Sequence, residues 1–220
     1  DSITFLALFG FFAGQVTGSY VVAGAELVGD GRGVVGKLLS LPAFAAGAVA
    51  AALPIIVLRE RKRSALPVVF ALELALLVAF ASMMASIWPI SDPNHWTTAL
   101  AGCLAAGAIG VQNALTRLLL PSMPPTIVMV GNSTQLAIDA TELIYTWFRP
   151  QRIAGDPDLA AHVAEARRRF VTILLVLMGF LIGAIGGATA FSVCGPWSVC
   201  LAIAIVAVLV GWAAIRRVDI

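Results

Sequence analysis

The chain has 220 residues, of which 60% are hydrophobic and only 12% charged, with a net charge of +2 and a mean hydropathy of +0.96. Soluble domains carry about 25% charged residues, so this composition predicts an all-α integral membrane protein. The basic residues cluster at the ends of apolar runs, which is a topology signal and excludes a nucleic-acid footprint.

In chain order the apolar segments fall near residues 2–29, 34–58, 65–90, 97–120, 126–148, 170–191 and 196–215. A membrane span needs about 20 apolar residues, and 34–58, 65–90, 97–120, 170–191 and 196–215 qualify. The segments 11–29 and 126–148 differ, because each holds a polar break centred on a glycine, together with hydroxyl or amide side chains and at least one acid. The breaks are Gln15-Val-Thr17-Gly18-Ser19 and Val128-Met-Val-Gly131-Asn132. Gly18 and Gly131 are 113 residues apart, and the same offset pairs Glu26 with Asp139. An acid therefore follows each glycine by about two helical turns. Both broken segments make poor lipid-facing spans and read as re-entrant.

Charge parity supports that reading. Arg59, Arg61, Lys62 and Arg63 follow the second segment; Arg149, Arg152 and Arg167–Arg169 flank the longest loop; Arg216 and Arg217 follow the last segment. If the segment at 126–148 enters and returns on one side, these clusters and Arg117 share the cytoplasmic face, leaving only Arg32 and Lys37 of the 14 basic residues outside. The chain is accordingly placed as a multi-pass protein of the bacterial cytoplasmic membrane.

A second correspondence matches Leu41-Pro-Ala-Phe44-Ala-Ala-Gly47 to Leu177-Met-Gly-Phe180-Leu-Ile-Gly183, at an offset enlarged by the insert at 149–169. Asp1-Ser2 matches Asn113-Ala114, which lies late in a span, so a matching helix of roughly 16 to 20 further residues is expected upstream of Asp1. Each repeat is then three membrane helices plus one re-entrant broken segment, 1–90 in the first half and 91–220 in the second, forming a single membrane domain. Three crossings per repeat invert the second half relative to the first, a recurring transporter design with the site at the midplane.

Asp1-Ser2 with Phe5, Phe12-Ala13, Thr17-Gly18-Ser19, Gly110-Val-Gln112-Asn113-Ala114, Pro125-Thr126, Met129 and Gly131-Asn132-Ser133-Thr134 together resemble the bacterial YoaK family of multi-spanning membrane proteins. The resemblance covers most of the chain. Family members tend to carry Thr-Gly-Asn in both halves, whereas this chain has Thr-Gly-Ser and Val-Gly-Asn. The resemblance implies a fold and brings no activity with it.

The chemistry therefore rests on individual residues. A helix that starts inside a membrane exposes unpaired backbone N–H groups. Gln15, Thr17, Gly18, Ser19, Gly131, Asn132 and Thr134 are suited either to cap such half-helices or to bind a small polar or anionic solute there. Gln112 and Asn113 are suited to bond across helices or to join that site. Glu73, in Ala71-Leu-Glu-Leu-Ala75, lies within an apolar helix, and with Asp139 and Glu26 it is a candidate proton-coupling group. Gly179, Gly183 and Gly187 form a small-residue ridge suited to close helix packing, homodimerisation included. Pro42, Pro54 and Pro67 break or kink helices, or mark first turns.

In the insert, Asp158 is placed to cap a short amphipathic surface helix. Cys103, Cys194 and Cys200 read as structural thiols, with Cys194 and Cys200 alone placed to pair near one membrane face. His95 and His162 lack ligand-spaced partners, so no metal and no cofactor are expected, and no motif argues for an enzyme. The expected function is a small-solute transporter or channel-like protein; the alternative is a non-transporting scaffold or accessory subunit.

Overall fold

The computed structural model describes residues 1–120, 129–149 and 156–215. The described elements are α1 (Ser2–Ala7), α2 (Val16–Val28), α3 (Val34–Glu60), α4 (Leu66–Ile87), α5 (Trp96–Leu119), α6 (Met129–Trp147), α7 (Pro157–Cys194), a 3-10 turn (Gly195–Ser198) and α8 (Val199–Ile215). No strand occurs among the described residues. The chain forms two compact units, Asp1–Pro121 with Ala184–Ile220, and Ser122–Gly183.

Among the described residues, four helical stretches are long and apolar enough to cross a membrane: α3, α4, α5 and the run Pro157–Ile215. The last of these contains both final spans expected from sequence, 170–191 and 196–215, joined through the 3-10 turn, where Gly195 adopts φ +56°. The insert also differs from expectation. α7 is one unbroken helix of 38 residues, about 57 Å long, so the amphipathic stretch continues directly into apolar sequence. Its cap is Asp156 and not Asp158: the Asp156 carboxylate accepts hydrogen bonds from the N–H groups of Asp158 (3.0 Å) and Leu159 (3.1 Å). A carboxylate bonded to the second and third N–H groups of a helix is the N-cap geometry.

In the larger unit α5 is the most enclosed span, and its small residues explain why. A Cβ at Gly47 of α3 would collide with the Gly107 carbonyl, and one at Gly110 with that of Phe44, so α3 and α5 cross backbone to backbone. Close crossing at small residues is how helices gain packing where no hydrophobic effect drives them together. α3 runs through both Pro42 and Pro54, while Pro67 occupies the first turn of α4, where its missing N–H costs little.

α4 packs on α5 and α8. Its buried stripe is Leu66, Val69, Glu73, Phe80 and Met84. Phe80 and Met84 belong to an apolar cluster that includes Phe11, Ala105 and Val199. Leu66 and Val69 belong to a second cluster, with Ile55, Val111, Leu115 and Ala213. Glu73 lies on the stripe between the two.

In the smaller unit, α6 pairs with the first part of α7. Contacts of Asp139 with Arg169 and of Glu142 with His162 make the two helices antiparallel.

Candidate functional site

The first helix break lies upstream of Gly18, over Leu8–Gln15; Gly18 is the third residue of α2. α1 ends in a Schellman arrangement: Phe9 takes the left-handed conformation (φ +54°), and the Gly10 N–H bonds the Phe5 carbonyl at 2.9 Å. Ser19 then holds the connection. Its Oγ donates to the Phe12 carbonyl and accepts from the Phe12 N–H, both at 2.9 Å, and the side chain is fully buried. The Gly14 N–H bonds an Asp1 carboxylate oxygen at 2.6 Å. Phe11 is buried against the face of α5 that Gly102 leaves open. Gln15 and Thr17 are exposed at the start of α2. The Gln15 carbonyl receives the N–H groups of Gly18 and Ser19.

Glu73 is 4% exposed, and among the described residues it has no hydrogen-bond or ion-pair partner. No side-chain nitrogen or oxygen of the described residues is both enclosed and unpaired, so its carboxyl oxygens keep a strip of accessible surface. The carboxyl sits about 10 Å along α4 from Leu66, between two apolar clusters. An acid at that depth in a span is a functional candidate by default, because its cost needs a reason.

Glu26 organises the turn between α2 and α3. Its carboxylate accepts the Arg32 N–H at 3.0 Å and lies 3.9 Å from the Lys37 ammonium. Lys37 is fully buried and donates to the Arg32 carbonyl at 2.5 Å. The Gly33 N–H reaches Asn94 in the loop after α4 at 2.8 Å. A cleft of about 230 Å³ beside that loop is lined by Ile87, Ser91, Asp92, His95 and Thr98.

In the smaller unit Asp139 is fully buried. It receives Arg169 in a two-pronged contact (Nη2 at 2.6 Å, Nε at 3.0 Å) and the Gln135 amide at 2.8 Å. The Arg169 guanidinium holds the Asp139 carboxyl below the usual carboxylate range. His162 lies 3.1 Å from Glu142 beside this pair. Asn132 is buried, while Gly131 and Thr134 are exposed; the Thr134 hydroxyl bonds back to the Val130 carbonyl. On α5, Gln112 is exposed and Asn113 half-buried, and neither amide makes a side-chain hydrogen bond among the described residues.

The structure thus brings Ser19 and Gln15 together at the first break, and Gln135, Asp139 and Arg169 together in the smaller unit. A sequence profile described as Protein of unknown function (DUF1275) matches residues 1–212. The chain belongs to the DUF1275 family. Comparison with curated proteins and with solved structures gives no match. The DUF1275 profile covers every site residue just described and leaves the activity to be argued from geometry.

Sequence reasoning missed Arg169 as the partner of Asp139 and Lys37 as a buried cation. Asp1 as an acceptor for the break also went unread, as did Asp156 as a cap. Asp156 carried a readable signal, since Asp-Pro is a common helix start. The Asp139–Arg169 pair spans 30 residues across a loop, and no local spacing encodes it. All three cysteines are free thiols. The described residues contain no group of three or more metal-ligating side chains.

Proposed function

We propose that this protein moves a small polar or anionic solute across the membrane as an inverted-repeat transporter, with the broken segment of the larger unit lining the path and Glu73 carrying the coupled proton. The observation that carries the reading is Glu73, a buried carboxyl with no partner among the described residues and with accessible oxygens, on a stripe that is otherwise apolar. Stability alone gives no reason to keep it, because an apolar residue there would remove a desolvation cost.

The break supports the reading from the other side. α2 has 13 residues and a length of about 20 Å, short of the roughly 30 Å hydrocarbon core, so it fits a re-entrant element. Irregular backbone at membrane depth is tolerated where it is buried in protein or lines a cavity, and helix N-termini there favour anions. The internal repeat extends the same role to Gly131 and Asn132.

The test is uptake of isotope-labelled chloride, phosphate, sulfate and short carboxylates into proteoliposomes under an imposed pH gradient. The reading requires uptake above protein-free vesicles for at least one of these, lost in Glu73→Gln. Uptake equal in the wild type and Glu73→Gln removes Glu73 from the mechanism, and no uptake of any probe defeats the transport reading.

One observation favours the scaffold alternative. Of the ridge glycines, a Cβ at Gly179 or Gly183 of α7 meets no atom of the described residues within 4 Å, whereas one at Gly187 meets Ser2 and Ile3 at 3.7 Å, so the face at Gly179 and Gly183 is open for another helix. Crosslinking of the purified protein through Gly183→Cys would give dimers under that reading.

A further inference from the structure

We propose that the first part of α7 carries a binding site for the phosphate headgroup of an anionic phospholipid. The inference is independent of transport and uses the smaller unit alone. A cleft of about 580 Å³ is lined by Ala160, Val163, Ala164, Arg167, Arg168 and Thr172, with Val171 beside them. All of these lie on α7 at helical spacing, so the cleft follows one face of the helix through the point where polar sequence gives way to apolar sequence.

The placement decides what such a cleft meets. Residues 157–169 of α7 are amphipathic, and from Phe170 onward the same helix is apolar, with Val171, Leu174 and Leu175 exposed. Arg167 and Arg168 therefore sit at the level where a span leaves hydrocarbon for headgroups, the usual position of anchoring cations. The apolar members of the cleft continue toward the hydrocarbon side, as an acyl chain would.

The polar groups select for phosphate. Arg167 is exposed and has no partner among the described residues, so its guanidinium is free for a bidentate contact. Arg168 is held by Glu165, at 2.9 and 3.1 Å, which keeps its side chain beside the cleft. The Thr172 hydroxyl donates to the Arg168 carbonyl at 2.9 Å, leaving its oxygen as an acceptor for a headgroup hydroxyl. Arg169, the third of the run, turns to the opposite side and is spent on Asp139. One arginine of three thus fixes α7 to α6 while two face the cleft.

The test reconstitutes the full chain in vesicles of phosphatidylcholine with a minor share of phosphatidylglycerol. The fraction of spin-labelled phosphatidylglycerol or phosphatidylcholine immobilised at the protein is read by electron spin resonance. A basic residue at the surface strengthens anionic lipid binding by about 1 kcal/mol, which is a preference of about fivefold. We expect that preference in the wild type, its loss in Arg167→Gln, and its loss in Ala164→Phe, which fills the cleft without changing charge. Arg61→Gln, a basic residue outside the cleft, should leave it intact. Arg167 is exposed, so its variant folds even if Ala164→Phe does not. A preference that survives Arg167→Gln overturns the site, and so does one that survives Ala164→Phe in folded protein, because diffuse charge would then explain it. If millimolar inorganic phosphate abolishes the preference where matched chloride does not, the ligand is free phosphate and the lipid assignment fails.

Discussion

Replacing Ser19 by alanine isolates what holds the first helix break. The Ser19 hydroxyl satisfies both backbone groups of Phe12, at 2.9 Å each, and the residue is fully buried. Alanine keeps the backbone conformation and removes both partners. A buried donor or acceptor left without its partner costs about 1–3 kcal/mol. Phe12 is only half-buried, so water or headgroups recover part of the loss, and about 2–4 kcal/mol is expected for the pair. Unfolding in mixed micelles, followed by helical circular dichroism against denaturing-detergent fraction, reads the change. Thr17→Ala is the control: Thr17 is exposed, makes no side-chain hydrogen bond among the described residues, and should shift stability by under about 0.5 kcal/mol. A Ser19→Ala change no larger than that of Thr17→Ala would refute the claim that this hydroxyl organises the break.

Asp139→Asn should lower the stability of the α6–α7 pair by about 2 kcal/mol, between the values for exposed and buried ion pairs because the Arg169 side chain is 37% exposed; hydrogen exchange of α6 amides reads it. The same pair sets a pH dependence. Since Asp139 titrates below its ordinary value of about 3.9, the stabilisation is complete above that value and disappears as pH falls through the lowered one, so the protection factors of α6 amides, corrected for intrinsic exchange, should be flat from about pH 5 upward and fall only in acid. Gly47→Ala should separate α3 from α5 and cost at least about 1–3 kcal/mol, read in the same micelle unfolding assay, whereas Gly179→Ala should be nearly neutral because its surroundings are open. Glu73→Leu should raise the unfolding free energy by about 1 kcal/mol while abolishing any uptake, a split that separates a functional acid from a structural one.

The helices α3, α4 and α5 were legible because an apolar run of that length has one stable answer in a membrane. Gly47 was legible only through its match to Gly183, and Gly110 only within the Gly110–Ala114 motif; their close approach between α3 and α5 is set by the fold. The first break was read a few residues too late, at Gly18, because glycine and hydroxyl residues there look like a turn. The helix ends instead at Phe9 and Gly10, both at positive φ; phenylalanine seldom takes that conformation, and only Gly10 marks the spot. The insert was read as a separate helix because its charge pattern changes near Arg169. Nothing at that point breaks a helix, however, and Asp156 starts one that continues through it. Asp139 and Glu26 were singled out by their common offset from a glycine, and each lies beside a cation within its own unit, Arg169 and Lys37.

The central claim is that the first break is reached by water within the membrane, and thiol accessibility tests it most directly. In a variant lacking Cys103, Cys194 and Cys200, Thr17→Cys places a thiol at the exposed start of α2, and Val208→Cys places one on a lipid-facing position of α8 that is 70% exposed. Reaction with a membrane-impermeant, charged thiol reagent in intact proteoliposomes should be fast for Thr17→Cys and negligible for Val208→Cys. Equal, negligible reaction at both positions, from either side of the bilayer, would contradict the account.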